Sequence, residues 1–310
     1  TTLYAQWEAA SSLHSHNICG ETSCDHAGHT AVDYTALDSN VSGQTLMGGN
    51  YYLTEDITNV ENSILITGMV NLCLNGHEIS GNAEDGIFRI GENGVLNVCD
   101  CAGNGKITES GGHNPIFIHS GGTLNLYSGT MESTRTAIVI DEDPSSGGDN
   151  STGGTVNVYG GTVSSTGSSY QAIKVNPYMT ATTVNIYGGL VTSSNRGISS
   201  ESGEINIFDG EITAAGYALN LDDGVARVYL SGNPVISGST ADINIHAISS
   251  ARNAVLSLRA KDSTSNGYTG GNLSIDLISA YAGYYVAQGV TDAGMLKKLS
   301  LVDDDYYLVY

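Results

Sequence analysis

Proline and positive charge are both scarce in this chain. Its 310 residues include 4 prolines, and 11 Lys and Arg stand against 32 Asp and Glu, for a net charge of −21. So acidic a surface repels nucleic acid and anionic lipid, and neither is expected as a partner. It favours solubility and attracts divalent cations. No apolar run is long enough for a membrane-spanning helix. The chain opens on Thr1-Thr2-Leu3-Tyr4-Ala5-Gln6-Trp7, which is strand-like and has none of the marks of a signal peptide, so it is expected to be a piece of a longer polypeptide. The five cysteines are Cys19, Cys24, Cys73, Cys99 and Cys101. An odd number cannot all pair within one chain, so either one thiol stays reduced or some thiolates bind metal.

What the chain has in abundance is glycine, 40 residues, and one recurring phrase. It reads Val95-Leu96-Asn97-Val98-Cys99, Thr123-Leu124-Asn125-Leu126-Tyr127, Thr155-Val156-Asn157-Val158-Tyr159, Thr183-Val184-Asn185-Ile186-Tyr187 and Glu204-Ile205-Asn206-Ile207-Phe208. Apolar and polar residues alternate, which signals a strand, and the later copies run into glycine, which signals a turn. Repetition at this period with no helical stretch between the copies predicts a solenoid of strands, a parallel β-helix.

Three strands per coil can be read. After the recurring phrase comes a short strand with one inward residue: Ile107, Met131, Val163, Val191, Ile212. A third strand carries paired inward residues: Phe88 and Ile90, Ile116 and Ile118, Ile138 and Ile140, Ile173 and Val175, Leu219 and Leu221, Ile243 and Ile245. Stacking these rows builds one continuous core that no single coil could form alone. Extra length falls in loops at 141–151 and 176–180. The expected organisation is a tail of a preceding module at 1–13, a Cys/His-rich capping segment at 14–50, the β-helix at 51–275 and a C-terminal cap at 276–310. Open solenoid ends expose core and unpaired backbone, so both ends need covering.

Four constellations carry chemistry. The segment 14–29 holds His14, His16, Cys19, Cys24, His26 and His29. Zinc takes four N or S ligands, and Cys19 and Cys24 with two of His16, His26 and His29 can supply them as a closed, structural site. A Cys19–Cys24 disulfide is the alternative. Cys73 falls one coil from Cys99 and Cys101, close enough for a Cys73–Cys99 or Cys73–Cys101 disulfide or for thiols packed in the core; His77 is the nearest base in sequence. The outward positions of the phrase form a ladder of Asn125, Tyr127, Asn157, Tyr159, Asn185, Tyr187, Asn206 and Phe208. These either grip sugar rings or stack for stability. Last, a polar column ends the third strands: His119, Asp141, Asn176, Glu201, Asp222, His246. Asp141, Glu201 and Asp222 lie one or two rungs apart, spacings that suit the paired carboxylates of glycosidases. A lyase-like arrangement would instead use carboxylate-held Ca²⁺ with Arg135 or Lys174 as base, and Asp141, Glu142 and Asp143 are the candidate Ca²⁺ ligands. The plain alternative is a solvated polar edge.

The motifs carry two resemblances. Ala5-Gln6-Trp7-Glu8-Ala9 resembles the closing strand of the Listeria–Bacteroides (internalin B-type) repeat, which implies a multidomain extracellular protein. Gly49-Asn50-Tyr51-Tyr52-Leu53-Thr54, Leu72-Cys73-Leu74-Asn75-Gly76-His77 and Cys99-Asp100-Cys101 resemble the opening of β-helix domains in surface proteins of gut Firmicutes. Tyr34 departs from that pattern, where tryptophan is common. The Cys/His arrangement of 14–29 precedes the β-helix in those proteins too, which implies a structural device. The coil pattern is similar to the pectin-lyase-like superfamily, which implies an all-β, single-stranded, right-handed parallel β-helix. The superfamily includes lyases, hydrolases, spikes and adhesins, so fold alone does not choose among them. With no enzyme-specific motif present, the expectation is an extracellular, surface-anchored module, a rigid stalk or adhesin touching polysaccharide, glycoprotein glycans or a neighbouring cell. A carbohydrate-active enzyme using Asp141, Glu201 and Asp222 is the other reading.

Overall fold

The computed structural model describes residues 14–21, 26, 29–109, 111–119, 121–141, 153–177, 179, 181–222, 226–246, 254–259, 261, 267–278, 286–288, 290, 293–303 and 308. Among these, strands fall into three sheets of 12, 8 and 11 members. Each sheet takes at most one strand from a coil, the 8-stranded one being confined to the middle coils, and neighbouring strands in a sheet come from successive coils. Pairing is parallel throughout the coils; the exception among the described residues is His14–Asn17, which pairs antiparallel with Ala31–Ala36. This is the expected parallel β-helix.

Register follows the recurring phrase. Asn71, Asn97, Asn125, Asn157, Asn185 and Asn206 stand opposite one another on successive strands of the first sheet. Because side chains alternate across a strand, the flanking residues Leu96 and Val98, Leu124 and Leu126, and Val156 and Val158 point inward, and all are fully buried. The predicted inward residues of the other two sheets are buried with them in one continuous core. In the third-strand row, the inward residue missing from the expected set between Val175 and Leu219 is Ile198. Its strand, Arg196–Ser200, has serine where its neighbours carry a second apolar residue. Ser200 is buried, and its hydroxyl donates to the Ser202 carbonyl at 2.6 Å.

The corner after the phrase needs glycine for two separate reasons. Gly129, Gly161, Gly189 and Gly210 all have left-handed φ, from +74° to +89°. They also stack directly: a Cβ on Gly161 would lie 2.5 Å from the Gly129 carbonyl oxygen.

Parallel pairing runs beyond the limits expected for the β-helix. It begins with Ala31–Ala36 and Thr45–Leu46, inside the segment expected as a cap, and continues through Leu299–Leu301. These outer coils lack the recurring phrase, which hid them in the sequence. Residues 1–13 lie outside the described residues. No helix among the described residues is long and apolar enough to cross a membrane.

Candidate metal centre

The site is organised by one column on the outer face of the first sheet. Register places Tyr52 opposite Cys73 and Cys73 opposite Cys99, and one residue past the paired span it continues through Tyr127, Tyr159, Tyr187 and Phe208. The two cysteines therefore occupy the positions that tyrosines hold further along. Beside this column runs a ladder of seven asparagines. Each Nδ2 donates to the Oδ1 of the preceding rung at 2.6–2.9 Å, from Asn206 back to Asn50. Asn50 passes its own Nδ2 to the Asp33 carbonyl, and the buried Oδ1 of Asn206 has no partner.

The aromatic part of the column is filled by its own rings. Tyr127, Tyr159, Tyr187 and Phe208 stack with centroids 4.9 Å apart and planes within 8° of parallel. Each inner ring has both faces covered, which leaves its edge to solvent. Of the two functions considered for this ladder, its geometry matches stacking for stability; a sugar stacking on a ring needs a free face.

The cysteine part is covered instead. Cys73 and Cys99 face out of the coil, yet both are essentially buried, because His14, His16 and Gly20 fold back over them. The two cysteines pack as thiols in a second buried cluster with Tyr34, one of the expectations, on the opposite face of the strand from Leu72 and Val98. His14 stacks on Tyr52 (centroids 4.2 Å, 4°), and His16 packs on Tyr34 at 4.3 Å. Further along, His26 stands perpendicular to Tyr127 and Tyr159, and His29 perpendicular to Tyr127.

This fold-back assembles two groups with metal-ligating chemistry. In the first, one ligand atom each from His14, His16, Cys73 and Cys101 lies within 4.8 Å of all the others; in the second, the same holds for Cys19, His26 and His29. The two groups separate what the sequence placed together. Cys19, His26 and His29 do meet. His16 stands instead with His14, two residues away on the same face of its strand, and with two cysteines from the coils. Cys24 lies outside the described residues. Cys73, Cys99 and Cys101 are thiols, without the disulfide considered for Cys73; the Cys73 and Cys101 sulfurs are 3.3 Å apart.

Electrostatics in the first group centre on Cys73. Hydrogen bonding from Cys99 holds its pKa well below the usual thiol range. Burial opposes this, while His16, the Cys101 backbone N–H and His14 add to the lowering. The same contact with Cys73, together with burial, pushes the Cys99 thiol up, and burial pushes Cys101 up to about 12. Burial lowers the pKa of His16, but its contacts with Cys73 and the Asn17 carbonyl outweigh this and leave it raised. In the second group, burial and neighbouring His26 lower His29.

The carboxylate column forms as a register feature. Backbone bonds link Asp141 to Ile118, Asn176 to Ile140, Glu201 to Val175 and Asp222 to Ser200, so Asn176 separates Asp141 from Glu201, and Glu201 and Asp222 are adjacent. Asp222 Oδ2 accepts a bond from Asn220 Nδ2 at 2.5 Å. Lys174 lies one step earlier on its strand; Arg135 packs over Tyr170 and donates to the Gly112 carbonyl. Of the candidate Ca²⁺ ligands, Glu142 and Asp143 lie outside the described residues. No family model matches this chain, and neither a curated protein nor a solved structure matches it. The class rests on the architecture itself, a parallel β-helix with His/Cys groups able to hold metal.

Proposed function

We propose that this chain is a rigid, non-catalytic β-helix module of an extracellular, surface-anchored protein, acting as a stalk or adhesin. One observation carries the reading: the outward side chains of the first sheet bond to each other along the coil. Seven amides and four rings are spent on internal stacking, as suits a rod that must not bend. Contact with polysaccharide, glycoprotein glycans or a neighbouring surface then falls to exposed ring edges, such as Tyr187 at 40% exposure, and to corner loops. The resemblances to Firmicutes surface β-helices, to the pectin-lyase-like superfamily and to the internalin B-type repeat support this location. Within the capping segment, Cys19, His26 and His29 hold a structural zinc, with Cys24 the remaining thiol of that segment.

The second reading, a polysaccharide lyase or glycoside hydrolase, draws on the aligned Glu201 and Asp222. A glycan array combined with reducing-end release on pooled plant and mucin polysaccharides separates the two. Binding without release supports the stalk or adhesin; release that disappears in Glu201→Gln establishes the enzyme.

A further inference from the structure

The His14, His16, Cys73 and Cys101 group lies outside the zinc set that the spacing in 14–29 suggests, and it ties together parts of the chain far apart in sequence. We propose that it is a second, separate zinc site, a closed His₂Cys₂ clasp that bolts the N-terminal hairpin to the side of the solenoid.

The distances fit. For a tetrahedral zinc with bonds of about 2.3 Å to sulfur and about 2.0 Å to nitrogen, ligand atoms stand about 3.3 Å (N to N), about 3.5 Å (N to S) and about 3.8 Å (S to S) apart. Here His14 Nε2 and His16 Nε2 are 3.0 Å apart, His14 Nε2 and Cys101 Sγ 3.6 Å, and Cys73 Sγ and Cys101 Sγ 3.3 Å. Two sulfurs and two nitrogens in a tetrahedron select zinc among common divalent metals.

The surroundings fit as well. His16 Nδ1 lies 2.6 Å from the Asn17 carbonyl, so that nitrogen carries the proton and Nε2 presents its lone pair to the site. His14 is fixed by stacking on Tyr52. Cys101 sits in a turn held by Asp100, whose carboxylate accepts the Gly76 and Gly105 N–H groups, each at 2.7 Å. Asp100 is thus a positioning residue for a ligand. Cys99, although adjacent, is not among the converging atoms; it packs with Tyr34 behind Cys73.

The topology says what the clasp does. Within the first sheet, three strand steps separate the strand of His14 from that of Cys73, and four separate it from that preceding Cys101. At about 4.8 Å per step, a flat sheet would hold His14 and Cys101 about 19 Å apart. The contact exists because the hairpin doubles back over the outer face. That face offers the segment little apolar core of its own, so four metal bonds hold it there.

The test uses the intact purified chain. Zinc content is measured in the wild type, in C101S, in H14Q, in H77Q and in C19S, with circular dichroism confirming the fold of each. C101S and H14Q should each lose one zinc per chain; H77Q, whose histidine pairs with Asp56 outside both groups, should lose none. C19S should lose the ion of the other group and keep this one, which separates the failure of either site from that of the other. Cobalt reconstitution of C19S should give thiolate-to-cobalt charge-transfer absorption that disappears in the double variant C19S/C101S. If C101S fails to fold, H14Q and the cobalt spectrum of C19S decide. Undiminished zinc in both C101S and H14Q, or a Cys73–Cys101 disulfide found by mass spectrometry in metal-free folded chain, overturns the proposal.

Discussion

Two stretches of the same outward column solve the same problem in opposite ways. From Tyr127 to Phe208 the rings are broad enough to touch across the strand spacing, so they cover one another face to face, and the histidines that reach this stretch, His26 and His29, meet Tyr127 and Tyr159 edge-on. At Cys73 and Cys99 the side chains are too short to meet as a stacked wall. The trough they leave is filled by His14 and His16, and the sulfurs become available to a metal. The asparagine ladder passes unbroken beneath both stretches. The backbone is therefore the same in each. What differs is the size and chemistry of one residue per coil, and this decides whether a face closes on itself or recruits a second layer.

The comparison breaks most visibly if the metal is removed. Structural zinc contributes on the order of 10 kcal/mol in small metal-dependent folds. Chelation, or acidification that protonates the ligands, should release residues 14–21 and expose the rungs of Asn71 and Asn97, while the coils from Thr155 to Ile245 stay protected. Hydrogen exchange followed by mass spectrometry reads both regions at once. Equal loss of protection in the two stretches would mean that the layers are not independent.

The ladder common to both stretches should be costliest to cut in its interior. Asn157→Ala leaves Asn125 Oδ1 and the Asn185 amide without their partners, and should cost about 1–3 kcal/mol in urea unfolding. Asn206→Ala removes one such bond together with an already unpartnered oxygen, so its cost should be smaller. Equal costs for the two would argue that the amides act singly.

The ring stack gives a similar or slightly smaller effect. Tyr187→Ala loses stacking on both sides, at about 0.5–1.5 kcal/mol per pair beyond its buried area. Tyr187→Phe should be near neutral, because Phe208 already serves in the next rung. Were the hydroxyl needed for a ligand, Tyr187→Phe would leave stability intact but abolish glycan-array binding.

The smallest effect lies at the far end of the rod and at high pH. Burial first, then the bond from its hydroxyl to Asp276 Oδ2, pushes Tyr217 up to about 12. The folded state favours the neutral phenol, so this contribution is complete below about pH 10 and fades as pH rises toward 12. Tyr217→Phe should flatten the loss of stability across that window without affecting zinc content at the other end.

How much of this was legible in the sequence depends on distance along the chain. The coil architecture was open to reading because period-two alternation and corner glycines recur with every rung. The group of Cys19, His26 and His29 was legible because its members lie within one short segment. The clasp was not, since His14 and Cys101 are 87 residues apart and meet only through the fold-back. One signal was present all the same. Asn71-Leu72-Cys73 and Asn97-Val98-Cys99 align with Asn125-Leu126-Tyr127, which puts the thiols on the outer face. The carboxylates were placed correctly as a column, yet order alone says nothing about chemistry there.

The amide ladder has a further consequence for how such a molecule changes size. From Asn71 to Asn185 each Asn side chain hands a hydrogen to the rung before it and receives one from the rung after, so the chain of amides has a sense, like beads threaded in one direction. Any whole coil carrying an Asn at this position can be inserted or deleted with the ladder intact, whereas a fractional coil would carry the next Asn off the ladder and leave an Nδ2 and an Oδ1 without partners. Length can therefore vary only in whole turns, and irregular additions are absorbed within a turn, as the 21 to 32 residues between successive asparagines from Asn71 to Asn206 show.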